Sequence, residues 1–211
     1  MQQRVLLAGT ALSPGARGEV LSREARRLLS QLAAELGFDC PPPLWSPRGM
    51  GPPTHPALPA NCFAGITHKR ERVMVGLSDR PFGIDLEYAN ERHSRRLHGL
   101  IELLPEYPVQ QAILNADCPQ QAFYQAWTLH EALFKLYSQT EHPALSVLDT
   151  RLHSILAEKY QAGLWQSRQW TFAVTGCAPL TLPVNPAAIL PGVEPTALFF
   201  ASLQQPGNRT R

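Results

Sequence analysis

No apolar run in the 211 residues approaches the roughly 20 that a membrane-spanning helix needs, so no membrane span is expected. Neither sign of charge dominates: 19 Lys and Arg face 17 Asp and Glu, for a formal charge of +2. That balance is not the footprint of a polyanion binder, and nucleic acid is not expected as a partner. Cysteine is sparse and scattered, at Cys40, Cys62, Cys118 and Cys177, with no CxxC pair and no His at zinc spacing. Four such residues do not make a disulfide scaffold, which implies reduced thiols and a cytoplasmic setting. Repeats and low-complexity tracts are missing too. Long uninterrupted helices are excluded over much of the chain, because its 20 Pro and 14 Gly make about one residue in six a structure breaker. The short apolar stretch at residues 5–12 is interrupted by Gly9 and Thr10, and suits a first strand better than a signal peptide.

What remains is a mixed chain, 44% hydrophobic and 17% charged, long enough to bury a real core. Residues 22–37 form the clearest early helix, with Ser22 as N-cap and Gly37 just past the end. Ala25, Leu28, Leu29, Leu32 and Leu36 make its apolar stripe. Eight prolines in residues 41–59 predict an irregular, extended connection. Strands are expected at 72–77 and 82–87, around a turn at 78–81. A mixed segment follows at 97–104, then a second strong helix over 119–138, where Phe123, Ala126, Trp127, Leu133, Phe134 and Tyr137 recur at helical spacing. The last third predicts short strands, such as 169–174 and 197–203, and a frayed polar tail over 204–211.

Three clusters could carry chemistry. Asp85 and Glu87 alternate with Ile84 and Leu86, so on a strand both carboxylates share the face opposite the core. Two like charges so close need a cation or a basic side chain between them, and one or two carboxylates with phosphate oxygens make a Mg²⁺ half-site. A solvated strand face is the ordinary alternative. Glu131 and Lys135, four apart on the second helix, share a face and would ordinarily make a surface pair of about 0.2–0.5 kcal/mol. If that face meets Asp85 and Glu87, a third carboxylate completes an oxygen-ligand site, with Lys135 placed to stabilise a phosphate leaving group. Thr67, His68, Lys69 and Arg70 form the third cluster, either a phosphate contact or a simple polar turn. Arg23, Arg26 and Arg27 of the first helix could also meet anions, though helix arginines are usually solvated.

In order, Thr67-His68, then Gly83 to Glu87 (Gly-Ile-Asp-Leu-Glu), then Trp127 to Lys135 (Trp-Thr-Leu-His-Glu-Ala-Leu-Phe-Lys), the chain resembles 4′-phosphopantetheinyl transferases of the surfactin-synthetase-activating type. That superfamily carries Ser-His, Gly-Ile-Asp-Leu/Ile-Glu and Trp-x-x-Lys-Glu-Ala-x-x-Lys motifs in this order, and Leu104-Pro105-Glu106 resembles its usual connector. Three departures stand out: Thr67 replaces Ser, His130 replaces the first Lys of the helix motif, and Gly51-Pro52-Pro53 lacks the Lys of the usual Gly-Lys-Pro element.

The resemblance implies an α+β fold of two pseudo-symmetric lobes, each a helix packed on a small antiparallel sheet, with coenzyme in the cleft between them. The lobes are expected at residues 1–104 and 105–211, divided near Pro105 and Pro108. The implied reaction moves 4′-phosphopantetheine from coenzyme A to a Ser hydroxyl of an apo acyl or peptidyl carrier protein, leaving adenosine 3′,5′-bisphosphate. Asp85, Glu87 and Glu131 would hold Mg²⁺, Glu131 would take the Ser proton and Lys135 would neutralise the leaving group. Thr67, His68, Arg26 and Arg48 would contact coenzyme phosphates. A monomer is expected. His130 would border the site and meet the acidic carrier, favouring docking only when protonated, unless it packs or hydrogen-bonds within the fold. Two rivals stand beside this reading: a weakened paralogue that binds carrier or coenzyme A without efficient transfer, and an unrelated Mg²⁺-dependent phosphohydrolase.

Overall fold

A computed structural model describes residues 2–156 and 160–198 of the chain. Strand β1 (Gln3–Ala11) leads to helix α1 (Gly18–Glu35), and the proline-rich connection then reaches β2 (Phe63–Lys69), β3 (Arg72–Ser78) and β4 (Phe82–Tyr88). Four helices follow: α2 (Glu91–Ser94), α3 (Leu97–Glu102), α4 (Tyr107–Leu114) and α5 (Pro119–Tyr137). After the short α6 (His153–Leu156) come β5 (Tyr160–Gln166), β6 (Trp170–Cys177), β7 (Leu180–Thr181), α7 (Pro186–Ile189) and β8 (Glu194–Pro195). The strands form two four-stranded sheets, in the orders β2-β3-β1-β7 and β4-β6-β5-β8. All pairings are antiparallel except the two-residue β1–β7 contact, which is parallel.

Strand alternation builds the layers. On β3, Val73, Val75 and Leu77 pack against the α1 stripe of Leu21, Ala25, Leu28, Leu29 and Leu32, while Met74 turns to the other face. That other face joins Val5 and Leu7 of β1 to Phe82, Ile84 and Leu86 of β4 and to Trp170, Phe172 and Val174 of β6. On the far side of β6, Ala173 joins Leu129, Ala132 and Leu133 of α5. The fold is thus α+β, with one long helix on each small sheet and a core between the sheets. Among the described residues, no helix is long and apolar enough to cross a membrane.

The helix expected over 22–37 begins four residues earlier. Gly18 tolerates the first helical position, and Arg17 stands at the N-cap with no side-chain cap bond. Ser22 lies inside α1 and accepts from Arg26 four residues on, so it is not the cap. Gly37 does follow the helix with φ +84°, the left-handed region that glycine enters without strain. The expected mixed segment at 97–104 contains α3. The strand expected over 197–203 falls largely outside the described residues, and the 204–211 tail falls wholly outside them.

The strands at 72–78 and 82–88 follow one another but do not pair. The chain passes from one sheet to the other across residues 79–81, and this crossing is pinned from beneath by Gln3. Fully buried, Gln3 donates through Nε2 to Ser78 Oγ, Arg80 O and Pro81 O, each at 3.1 Å, and its Oε1 accepts from Cys177 N. Sheet membership therefore changes at 79–81 and not at 104–108: β4 lies with the later strands, and β7 returns to the first sheet. Strand partners decide membership, whereas Pro105 and Pro108 punctuate helices, Pro108 sitting at the start of α4.

Candidate active site

Strands β2 and β4 are the edge strands of their sheets, and they abut. The residues 63, 65, 67 and 69 of β2 face β4. A Cβ on Gly65 would touch Phe82 and Ile84, Thr67 bonds to β4, and Lys69 Nζ reaches Glu87 Oε2 at 2.6 Å. Two unpaired edges are thus closed by side chains rather than by a continuous ladder. Beyond β4, α5 descends so closely that a Cβ on Gly83 would lie 1.7 Å from the Ala132 carbonyl oxygen. Only glycine permits that approach, and it brings Glu131 and Lys135, either side of Ala132, onto the face that carries Asp85 and Glu87.

A pocket of about 230 Å³ results, lined by Thr67, His68, Lys69, Asp85, Glu87, Glu131 and Lys135 among others. Asp85 is 5% exposed. Its Oδ1 accepts from Lys135 Nζ at 2.6 Å and from Thr67 Oγ1 at 3.1 Å, while its buried Oδ2 has no partner among the described residues. Burial first, then the neighbouring Asp85 charge, pushes the carboxyls of Glu87 and Glu131 above their usual range. Lys69 opposes this at Glu87, and Lys135 and Lys69 oppose it at Glu131. Three acids and two lysines leave the pocket short of positive charge. The solvated strand face is not what forms.

The donor set suits a hard divalent cation. All candidate ligands are carboxylate oxygens, and a buried carboxylate oxygen with no hydrogen-bond donor is what an ion can satisfy. Among the described residues no three acidic, His or Cys side chains converge on one point. Magnesium does not require that, being held through one or two carboxylates plus water and phosphate oxygens. The residues present fit such an ion.

A second cavity of about 330 Å³ adjoins the first through His68 and Lys135. Arg26 and Arg48 line it together with Ser22, Ser46 and Gln139, so α1, the proline-rich connection, β2, β4 and α5 all contribute to its wall. Arg48 is seated over α1: its Nη1 would be 2.7 Å from a Cβ on Gly18. His68 is held below its ordinary pKa by burial first and then by the nearby Arg48 charge. Arg26, by contrast, is engaged by the protein. Its Nε and Nη2 donate to Ser46 O and its Nη1 to Ser22 O and Oγ, so it ties the connection to α1. Trp45 makes a second tie, 4% exposed, with Nε1 donating to Ser30 Oγ at 3.0 Å.

Thr67 and His68 lie on β2, not in a turn, and only Arg70, with φ +51°, turns the chain. Thr67 faces Asp85 and is 4% exposed, which sets it apart from His68 on the other strand face. Lys69, expected only within a polar cluster, pairs with Glu87, and alternation from Thr67 along a strand is the signal that places it there. Sequence reasoning missed Gln139, which accepts from Phe82 N and donates to Ala64 O, joining both edge strands to the end of α5.

The expectation for His130 is overturned. It is 1% exposed and its Nδ1 lies 2.7 Å from Thr150 Oγ1. The Thr150 hydroxyl proton goes to Val147 O, so Thr150 accepts and His130 is the Nδ1–H tautomer. Its Nε2 is then a buried acceptor without a partner among the described residues. Protonation would bury an unpaired N–H there. Burial chiefly, with a smaller opposing effect from Glu106, holds the pKa down at about 4. A neutral side chain inside the core cannot meet a carrier protein.

No curated protein matches the chain significantly. Residues 81–183, just under half the chain, match the model of a protein family described as the 4′-phosphopantetheinyl transferase superfamily. The matched stretch runs from the inter-sheet turn through β4, α5 and β6, and so contains Asp85, Glu87, Glu131 and Lys135 but none of the residues of α1 or β2. The strand and the helix that build the acidic pocket lie inside that match, so this stretch of the chain is similar to the 4′-phosphopantetheinyl transferase superfamily.

Proposed function

We propose that the chain transfers 4′-phosphopantetheine from coenzyme A to a serine hydroxyl of an acyl or peptidyl carrier protein, with a divalent cation, Mg²⁺, held by Asp85, Glu87 and Glu131. One observation carries the reading. The acidic pocket, with its orphaned Asp85 oxygen, opens at Lys135 and His68 into a cavity bordered by Arg48. A cation half-site beside a cationic cavity suits a substrate with a pyrophosphate at one end and a further phosphate at the other.

In this reading the serine oxygen forms a bond to the phosphorus that bears pantetheine, and the bond from that phosphorus to the bridging oxygen breaks. Bound Mg²⁺ supplies charge neutralisation at the pyrophosphate. Glu131, on the pocket wall beside Asp85 and Lys135, takes the serine proton as general base. Lys135 stands beside Glu131 and stabilises the departing adenosine 3′,5′-bisphosphate. Arg48 and His68 hold the coenzyme's phosphates, and Arg26 shapes their cavity by holding Ser46. The subtype, resembling the surfactin-synthetase-activating enzymes, belongs to this reading as well. His130, one of the three departures from the family pattern, lies in the core and not in the pocket.

Incubating the protein with coenzyme A, Mg²⁺ and an apo-carrier protein, then weighing the carrier, tests the proposal. A carrier heavier by one phosphopantetheine is expected. An unchanged carrier with intact coenzyme A leaves the paralogue, and an unchanged carrier with hydrolysed coenzyme A leaves the phosphohydrolase.

A further inference from the structure

We infer that Thr67 is a positioning residue for Asp85, not a coenzyme contact. This rests on the transferase reading above. A threonine hydroxyl has one proton to give, and the geometry of Thr67 gives it to Asp85 Oδ1 at 3.1 Å. Thr67 Oγ1 itself accepts from Leu86 N at 3.1 Å, on the neighbouring residue of β4. Thr67 therefore grips the backbone and the side chain of β4 at once, from an edge strand of the other sheet. With Lys135 Nζ also on Oδ1 at 2.6 Å, two donors fix one oxygen of the carboxylate and leave Oδ2 without a partner among the described residues.

Burial makes the alternative untenable in this arrangement. Thr67 is 4% exposed, and donating to a phosphate would require releasing Asp85. Its chemistry also suits the task. A β-branched side chain on a strand has few χ1 choices, so Oγ1 is aimed before the carboxylate arrives. Groups that orient a metal-binding carboxylate change metal affinity by about 10–100-fold when removed. Thr67 is thus the point at which the first sheet reaches across and sets an acid of the second.

Mn²⁺ titration by electron paramagnetic resonance, run beside coenzyme A titration by calorimetry without metal, separates the two roles. Thr67→Val keeps the shape and removes the hydroxyl. It is expected to weaken Mn²⁺ binding about tenfold and to leave coenzyme A affinity within about twofold of wild type. Thr67→Ser, which keeps the hydroxyl, is expected to restore most of the Mn²⁺ affinity. If Thr67→Val does not fold, the comparison of wild type with Thr67→Ser and Thr67→Ala carries the test, with Thr67→Ala expected to bind Mn²⁺ more weakly than Thr67→Ser. Unchanged Mn²⁺ binding in the hydroxyl-free variants, or weakened coenzyme A binding in its place, overturns the inference. A wild type that binds no Mn²⁺ overturns it together with the metal assignment. A wild type that binds Mn²⁺ through Thr67 yet transfers nothing overturns only the transferase reading.

Discussion

His130 and Glu131 are chain neighbours on one helix, and they meet opposite surroundings. Successive residues on a helix are about 100° apart, so one enters the core beside Thr150 and the other enters the pocket with Asp85. Burial disfavours the charged form of both, which lowers the His130 pKa and raises that of Glu131. The consequence differs. Neutral His130 has a hydrogen bond that only the neutral tautomer makes without cost, so its shift holds the core together. Glu131 is kept ionisable beside two acids and two lysines, so its shift stores repulsion where a cation or a proton can relieve it. Identical physics serves packing at one residue and chemistry at the next.

The largest expected effect tests the chemical side. Asp85→Ala should lower transfer about a thousandfold, the scale of removing a group that stabilises transition-state charge, in a chain whose circular dichroism is unchanged. Full activity in that folded variant at saturating coenzyme A would detach Asp85 from the reaction. Glu87→Ala should cost less, since Lys69 already shares its charge.

Packing is tested next. His130→Lys should destabilise the fold by about 4 kcal/mol, the cost of depressing a buried ammonium by some three pKa units. Urea unfolding measures it, and an unchanged midpoint would mean that residue 130 can reach solvent after all.

Glu131→Gln cuts across the comparison, because it should damage one property and improve another. Transfer is expected to fall about a hundredfold, as for loss of a general base. Stability should rise at neutral pH. The folded Glu131 carboxyl titrates above the unfolded value, so wild-type stability declines as pH rises from the unfolded pKa through the folded one. Glutamine escapes that decline, and the two proteins should converge in stability in acid. A glutamine variant less stable than wild type at pH 7 would mean that Glu131 is held by favourable contacts.

His130 has the opposite sign. Its folded pKa, about 4, lies below the ordinary 6.5, so the unfolded chain takes up the proton first. The associated stability is complete above pH 6.5 and is lost as pH falls towards 4, about 2 kcal/mol being gone at pH 5. Wild type should therefore show a steeper loss between pH 7 and 5 than His130→Gln. Parallel curves would remove His130 from the acid response.

The smallest effect belongs to the coenzyme cavity. His68→Ala should raise KM for coenzyme A severalfold with kcat nearly unchanged, because a contact distant from the reacting phosphorus binds ground and transition states alike. A change confined to kcat would move His68 to the reacting centre.

Sequence alone was enough for β3, β4, the bodies of α1 and α5, and which strand face carries the acids, but not for β2. The alternation of Ile84 and Leu86 with Asp85 and Glu87 places the pair opposite the core, and helical spacing marks α5. Those are local properties, fixed by periods of 2.0 and 3.6 residues. Helical spacing was also enough to nominate Glu131 and Lys135, while the family resemblance nominated the coenzyme roles of His68 and Arg48. The tertiary structure alone decided which of them meet. The crossing between β3 and β4 is held by Gln3, more than seventy residues away, and the close approach of α5 to β4 requires the absence of a side chain at Gly83. Thr67 is a hydroxyl in a polar string until an edge strand of one sheet is laid against an edge of the other. His130 looked like a site residue because it adjoins Glu131 in the chain, and adjacency in a helix places side chains on different faces. A residue's partner at long range, and its depth below the surface, are set by packing that no local pattern records.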